Sequence, residues 1–164
     1  MTAINILVMP DAVHVFSDGG HTANQTGRLA YLGAKVFYLP NINGLLAWTG
    51  GSERGRTIAA LFDAEHDVIR DGVKLDRQPY SAIVARDGGT EVMAYQDDAE
   101  SIRLRSGNVV CSMKTDMTFD PDDIIGSGLA IIHDQRERHG LVHGFIQYSR
   151  LDAGGFHSRV LERL

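Results

Sequence analysis

The first fifty residues of this chain read as short strands, alternating in the first two and apolar throughout in the next two, and at Ser52 the pattern changes to a helical period, which constrains the fold more than any other feature. Ile4, Ile6 and Val8 alternate with Asn5 and Leu7, and Pro10-Asp11 marks a turn. Val13 and Val15 alternate with His14 and Phe16 until Ser17-Asp18-Gly19-Gly20 stops the second strand. Residues 36–39 and 45–48 supply two more short apolar runs, separated by the turn residues 40–44. From 52 to 70 the spacing is helical, with Ile58, Leu61, Phe62, Glu65 and Ile69 on one face, Ser52 as N-cap and Gly72 as stop.

Strands are expected again at 80–86, 90–95, 101–105 and 109–113, with Asp87-Gly88-Gly89 as a hairpin signal. Gly126-Ser127-Gly128 opens a second helix running to about Arg138, and Gly140 ends it. A third apolar-periodic stretch, 141–148, follows as further helix, and 156–164 reads as a last strand. Strands, helix, strands, helices, strand is not a βαβ alternation. It predicts an α+β domain spanning 1–164, with two mainly antiparallel sheets packed face to face and helices covering the outside.

Charge and cysteine usage narrow the function. A formal charge of −5 offers no basic surplus for nucleic acid or an anionic membrane. The apolar runs are too short to span a bilayer, and the first residues lack the basic and apolar regions of a signal peptide. Cys111, alone in the sequence, cannot form an internal disulfide and reads as a small buried hydrophobe. A cytoplasmic address is expected. His133, His139 and His143 are spaced across the Gly140 break and do not converge as metal ligands. Asp116, Asp120, Asp122 and Asp123 read as a solvated acidic loop without the glycine and terminal glutamate of a calcium hand.

The chemistry begins at Thr2. Threonine is small enough for the methionine before it to be removed, leaving an α-amine beside a hydroxyl. Such an amine has a pKa of about 8, so part of it is neutral at cellular pH and can accept a proton. One residue then supplies nucleophile and base.

Together, Thr2, Ser17-Asp18-Gly19, Lys35, Thr49-Gly50-Gly51 and Gly126-Ser127-Gly128 resemble the pattern of proteasome β-subunits, which are N-terminal-nucleophile hydrolases. Within that family the likeness is to the short bacterial threonine peptidases that work with an AAA+ unfoldase. There an aspartate follows the threonine by sixteen residues and a lysine follows after about sixteen more; here the intervals are sixteen and seventeen. The resemblance implies a four-layer αββα sandwich, a homo-oligomeric ring or stack of rings, an unfoldase partner and a peptide or unfolded-protein substrate. It implies no cofactor.

By the same resemblance, Lys35 lowers the pKa of the Thr2 hydroxyl and Asp18 holds Lys35 in place. Gly50 offers its N–H to the oxyanion. Ser127 bonds near the threonine amine and relays protons, while Gly19, Gly20, His21, Thr22, Thr49 and Gly51 border the substrate cleft, where a peptide lies as an added strand.

The chain also departs from the pattern. Late in the family an aspartate and a serine precede a glycine pair, whereas here the stretch reads Arg150-Leu151-Asp152-Ala153-Gly154-Gly155. With the glycines aligned, Arg150 and Ala153 take the places of the missing pair. A catalytically inactive structural protein, such as a phage assembly component, and a small-molecule amidase of the same superfamily therefore stand beside the peptidase reading.

Overall fold

The computed structural model describes residues 2–22, 28–65, 82–95 and 101–164. Alternation does what it predicts in the first strands. β1 (Ile4–Val8) and β2 (Ala12–Asp18) form an antiparallel hairpin in which Ile4, Ile6, Val8, Val13 and Val15 turn to one buried face. Pro10 sits in the connecting bend, which the Met9 N–H closes by donating to the Ala12 carbonyl at 2.8 Å. Two short strands, β3 (Gly20–Thr22) and β4 (Leu29–Leu32), make a separate two-stranded ribbon. β5 (Val36–Leu39) and β6 (Gly44–Trp48) form the next hairpin, turned by a 3-10 segment at Pro40–Ile42 with Asn43 at a φ of 39°.

The later strands are β7 (Ala82–Arg86), β8 (Glu91–Tyr95), β9 (Ser101–Leu104), β10 (Val109–Cys111), β11 (Phe145–Asp152) and β12 (Gly155–Arg163). One five-stranded sheet has the order β10-β1-β2-β11-β12 and the other β5-β6-β7-β8-β9, every pairing antiparallel. The period-two side chains of both sheets meet in one apolar layer, to which Ile4, Val13, Leu45, Ile83, Val92 and Leu151 contribute. The β7–β8 turn uses Asp87-Gly88-Gly89, all three at positive φ. Glycine tolerates that backbone, and Gly88 also lies where a Cβ would come within 2.9 Å of the Ala153 backbone.

Helix α1 (Ser52–Asp63) lays Ile58, Ala59 and Phe62 over Leu46, Trp48 and Val84 of the second sheet. Its N-cap is Gly51 rather than Ser52, which is the first helical residue. The helix stops before the expected Ile69 because Glu65, placed on its apolar face by the sequence reading, adopts a φ of 57° and donates its N–H back to the Phe62 carbonyl. Residues 66–70 and the predicted stop Gly72 lie outside the described residues, as do Tyr80 and Ser81 at the start of the predicted strand 80–86.

Helix α2 (Ile124–His139) begins two residues before Gly126, because the Asp123 carboxylate caps it by accepting the Gly126 N–H at 3.0 Å. Gly140 ends it in the left-handed conformation. Residues 145–148, expected as helix, instead begin β11, which pairs with β2 and β12.

These differences overturn the αββα expectation. The described residues form three antiparallel sheets, not two, with only two α-helices. Among the described residues a single helix lies on each large sheet where helical layers were expected, and residues 145–152 are spent on sheet. The structure is mostly antiparallel β and is not a helix-flanked sandwich. No helix among the described residues is long and apolar enough to cross a membrane.

Candidate functional site

The start of the chain is held at one end of the sheet formed by β1, β2 and β11. Immediately before β1, the Ala3 N–H donates to Asp18 Oδ1 at 2.9 Å, and the Asp18 N–H donates to the Ala3 carbonyl at 3.1 Å. Asp18 is the last residue of β2, so strand pairing itself delivers its carboxylate to the chain start. The same Oδ1 accepts from Lys35 Nζ at 2.6 Å, with both side chains fully buried. Lys35 reaches across from the residue preceding β5 and also donates to the Gly20 carbonyl at 2.5 Å. Asp18 Oδ2 accepts the backbone N–H groups of Gly20 and His143, each at 3.3 Å. Four donors thus converge on this buried carboxylate, and the paired ammonium limits the penalty of burying either charge. Burial lowers the Lys35 pKa, and the Asp18 charge and hydrogen bond partly oppose that shift.

Thr2 is buried, and its hydroxyl donates to the Thr49 carbonyl at 3.1 Å. Thr49 follows Trp48, whose backbone N–H donates to the Lys35 carbonyl at 2.9 Å. Thr2, Lys35 and Asp18 are thus joined through immediate neighbours: Asp18 through the residue after Thr2, and Lys35 through the residue before Thr49. The Thr49-Gly50-Gly51 turn is tied by the Trp48 indole N–H, which donates to the Gly51 carbonyl at 3.1 Å. Gly50 is half-buried in that turn, directly after the Thr2 acceptor.

The remaining predicted residues divide. Gly19, Gly20 and His21 are buried and Thr22 is half-buried, on or just before β3 next to the ion pair. Packing explains both glycines: a Cβ on Gly19 would lie 2.3 Å from the Phe145 ring, and one on Gly20 would lie 2.7 Å from His143 Cβ. His21 stacks on Tyr31 with ring centroids 4.4 Å apart, and burial, aided by the Lys35 charge, lowers its pKa. Gly51 has room, since the nearest atom to a Cβ there is 3.9 Å away.

Among the described residues, Ser127 makes no hydrogen bond to the cluster. Its hydroxyl donates to the Asp123 carbonyl at 2.7 Å, within its own helix. The neighbouring Gly128 lets α2 approach β2, because a Cβ there would be 2.3 Å from Phe16 Cζ.

Sequence reasoning missed two residues at this end. His143 precedes β11 and bonds Asp18 through its backbone, while Ser112 follows β10 and bonds the Thr2 carbonyl. Backbone groups carry no residue signature, and Ser112 is 110 positions from its partner, so neither left a local signal. Asp152, the one acidic residue in the stretch where the family carries its late aspartate, lies elsewhere. β11 pairs Ile146 with Asp18 but Asp152 with Ala12, at the opposite end of β2. His133 pairs with Glu162 at 3.1 Å, and His139 lies 3.0 Å from the Lys114 carbonyl.

Compared with known proteins, the chain matches no family model and no curated sequence.

Proposed function

We propose that this chain is an N-terminal-nucleophile amide hydrolase of the threonine-peptidase type, acting through Thr2 once its α-amine is free. The observation that carries the reading is the shared oxygen of Asp18, which accepts both the buried Lys35 ammonium and the N–H of the residue after Thr2. A buried ion pair adds little stability over apolar side chains of the same volume. Its position at the chain start therefore favours a chemical use, as perturbed and paired groups cluster at functional sites.

In this mechanism the Thr2 hydroxyl oxygen attacks the substrate carbonyl carbon while the Thr2 α-amine takes its proton. Lys35 stabilises the developing negative charge, and the Gly50 N–H receives the oxyanion. The amine returns the proton to the leaving nitrogen as the C–N bond breaks. Water, deprotonated by the same amine, then hydrolyses the Thr2 ester. The steps require no cofactor.

A peptide or unfolded protein is the proposed substrate, bound along Gly19–Thr22 and Thr49–Gly51. We place the subunit in a cytoplasmic homo-oligomeric ring served by an AAA+ unfoldase. Exposed Leu29, Tyr31 and Leu32 on the ribbon beside the site favour a neighbour that covers them.

A specific observation favours a second reading, an inactive structural protein: among the described residues the Ser127 hydroxyl bonds to the first turn of α2 and its cap and not to the cluster, and Asp152 lies at the far end of β2. Intact mass spectrometry of the purified chain, with and without a β-lactone acylating agent, separates the two. The peptidase reading expects loss of Met1 and one adduct on Thr2 that Thr2→Ala abolishes. Retained Met1, or no adduct on Thr2, leaves the structural reading standing.

A further inference from the structure

We propose that Ser112 is a positioning residue for the Thr2 nucleophile, an inference that rests on the reading of Thr2 given above. Ser112 continues from β10, the edge strand paired to β1, and its backbone N–H donates to the Ile4 carbonyl at 2.9 Å. Its hydroxyl donates to the Thr2 carbonyl at 2.6 Å and accepts the Ile4 N–H at 2.8 Å. A hydroxyl serving as donor and acceptor at once has a fixed orientation.

The peptide unit between Thr2 and Ala3 is planar, so it moves as one body. Ser112 holds its carbonyl oxygen and Asp18 holds its N–H, from opposite sides of the chain. With that plane pinned at both polar atoms, only ψ and χ1 of Thr2 remain to place the amine and hydroxyl. χ1 is stiff in a β-branched residue, and the Thr49 carbonyl holds the hydroxyl in this structure. Asp18 therefore supports the site from the β2 side and Ser112 from the β10 side. Without the Ser112 hydroxyl the plane is free to swing about the Ala3–Asp18 bond, carrying the Thr2 amine with it. Misplacement of a reacting group by about 1 Å can cost about a hundredfold in rate.

The test is the rate at which a β-lactone acylates Thr2 in the full-length chain, with the adduct mapped by mass spectrometry. For Ser112→Ala, the rate at saturating lactone should fall about tenfold or more and the half-saturating concentration should stay within about twofold, while the melting temperature falls by a few degrees because the Ile4 N–H loses its acceptor. Ser112→Thr, which keeps the hydroxyl, should recover most of the rate. Ser112→Val, which has the shape of threonine without the hydroxyl, should not. The Thr–Val pair decides the matter if Ser112→Ala fails to fold. Wild-type rates in Ser112→Ala or Ser112→Val would overturn the inference, as would equal losses in Ser112→Thr and Ser112→Val. If wild type itself is not acylated at Thr2, the nucleophile reading falls first and this inference with it, which the wild-type arm shows by itself.

Discussion

Two carboxylate–cation pairs sit at opposite ends of the same strand pair and behave as different chemistry. At one end Lys35 and Asp18 meet at 2.6 Å with both side chains at 0% exposure. At the other, Arg150 and Asp152 meet at 2.9 Å with side chains 41% and 17% exposed. Register separates them: β2 carries Asp18 opposite Ile146 and Ala12 opposite Asp152. Six residues of strand at about 3.3 Å each span about 20 Å, too far for Asp152 to reach the start of the chain. The lesson concerns placement. An acidic residue near the right glycines is not at the site unless the ladder puts it there.

The strongest way to break this contrast is to remove one cation from each pair. Lys35→Met leaves Asp18 buried beside an apolar group and is expected to destabilise the fold by about 3–5 kcal/mol. Arg150→Met should cost no more than about 1 kcal/mol, since that pair is partly exposed and screened. Urea midpoints for both variants, taken with their slopes, measure the difference. Adding Asp18→Asn to Lys35→Met should restore part of the loss, because no uncompensated charge is then buried. Equal costs for the two single variants would show that burial does not distinguish the pairs.

Glycine packing gives a smaller and more local contrast. Gly128 on α2 faces Phe16, and an added methyl would lie 2.3 Å from its ring. Alanine favours a helix interior over glycine by about 1 kcal/mol. Overpacking of this size typically costs about 1–3 kcal/mol, so Gly128→Ala should be destabilising on balance. Gly51→Ala should be nearly neutral in stability, with a φ of −65° and the nearest atom 3.9 Å away. Thermal unfolding of the two variants side by side measures the contrast, and a neutral Gly128→Ala would mean that α2 can lift off β2.

What was legible in the sequence follows the range of the interactions involved. The strands around Ile6 and Val15 are set by local alternation and those around Leu46 and Val84 by short apolar runs, and they lie where those patterns put them. The end of α1 was misjudged because apolar spacing continues through Ile69, whereas the backbone turns left-handed at Glu65. Residues 145–148 looked helical because Leu141, Val142, Phe145 and Ile146 fall at helical intervals; pairing of β11 between β2 and β12 overrides that local preference. At the site, Asp18 and Lys35 carry charge and could be picked out by spacing. Ser112 and the His143 backbone act through contacts more than a hundred positions away in sequence, and only the fold brings them there.

The smallest expected effect concerns His14, which ties the Arg150 end to the pH dependence of stability. His14 pairs with Arg150 across β2 and β11, and its Nδ1 lies 2.8 Å from the Tyr148 hydroxyl. Burial lowers its pKa below 6.5, and the Arg150 charge pushes in the same direction, against Asp11 and Asp152. A histidine with a lowered folded pKa binds fewer protons folded than unfolded. Its contribution is therefore fully present above 6.5 and is lost as the pH falls from there through the lowered folded value. His21 shifts in the same direction and adds a parallel loss. Each lowered pKa unit corresponds to about 1.4 kcal/mol, so His14 alone should give a modest slope. Urea unfolding at pH 7.5 and 5.5 should show wild type losing more stability on acidification than His14→Gln. Arg150→Gln should narrow the wild-type loss slightly, since one of the two causes of the shift is gone. A His14→Gln profile parallel to wild type would mean that this end of the sheet does not hold the imidazole neutral, and the acid sensitivity would then belong to the His21 end, beside Lys35.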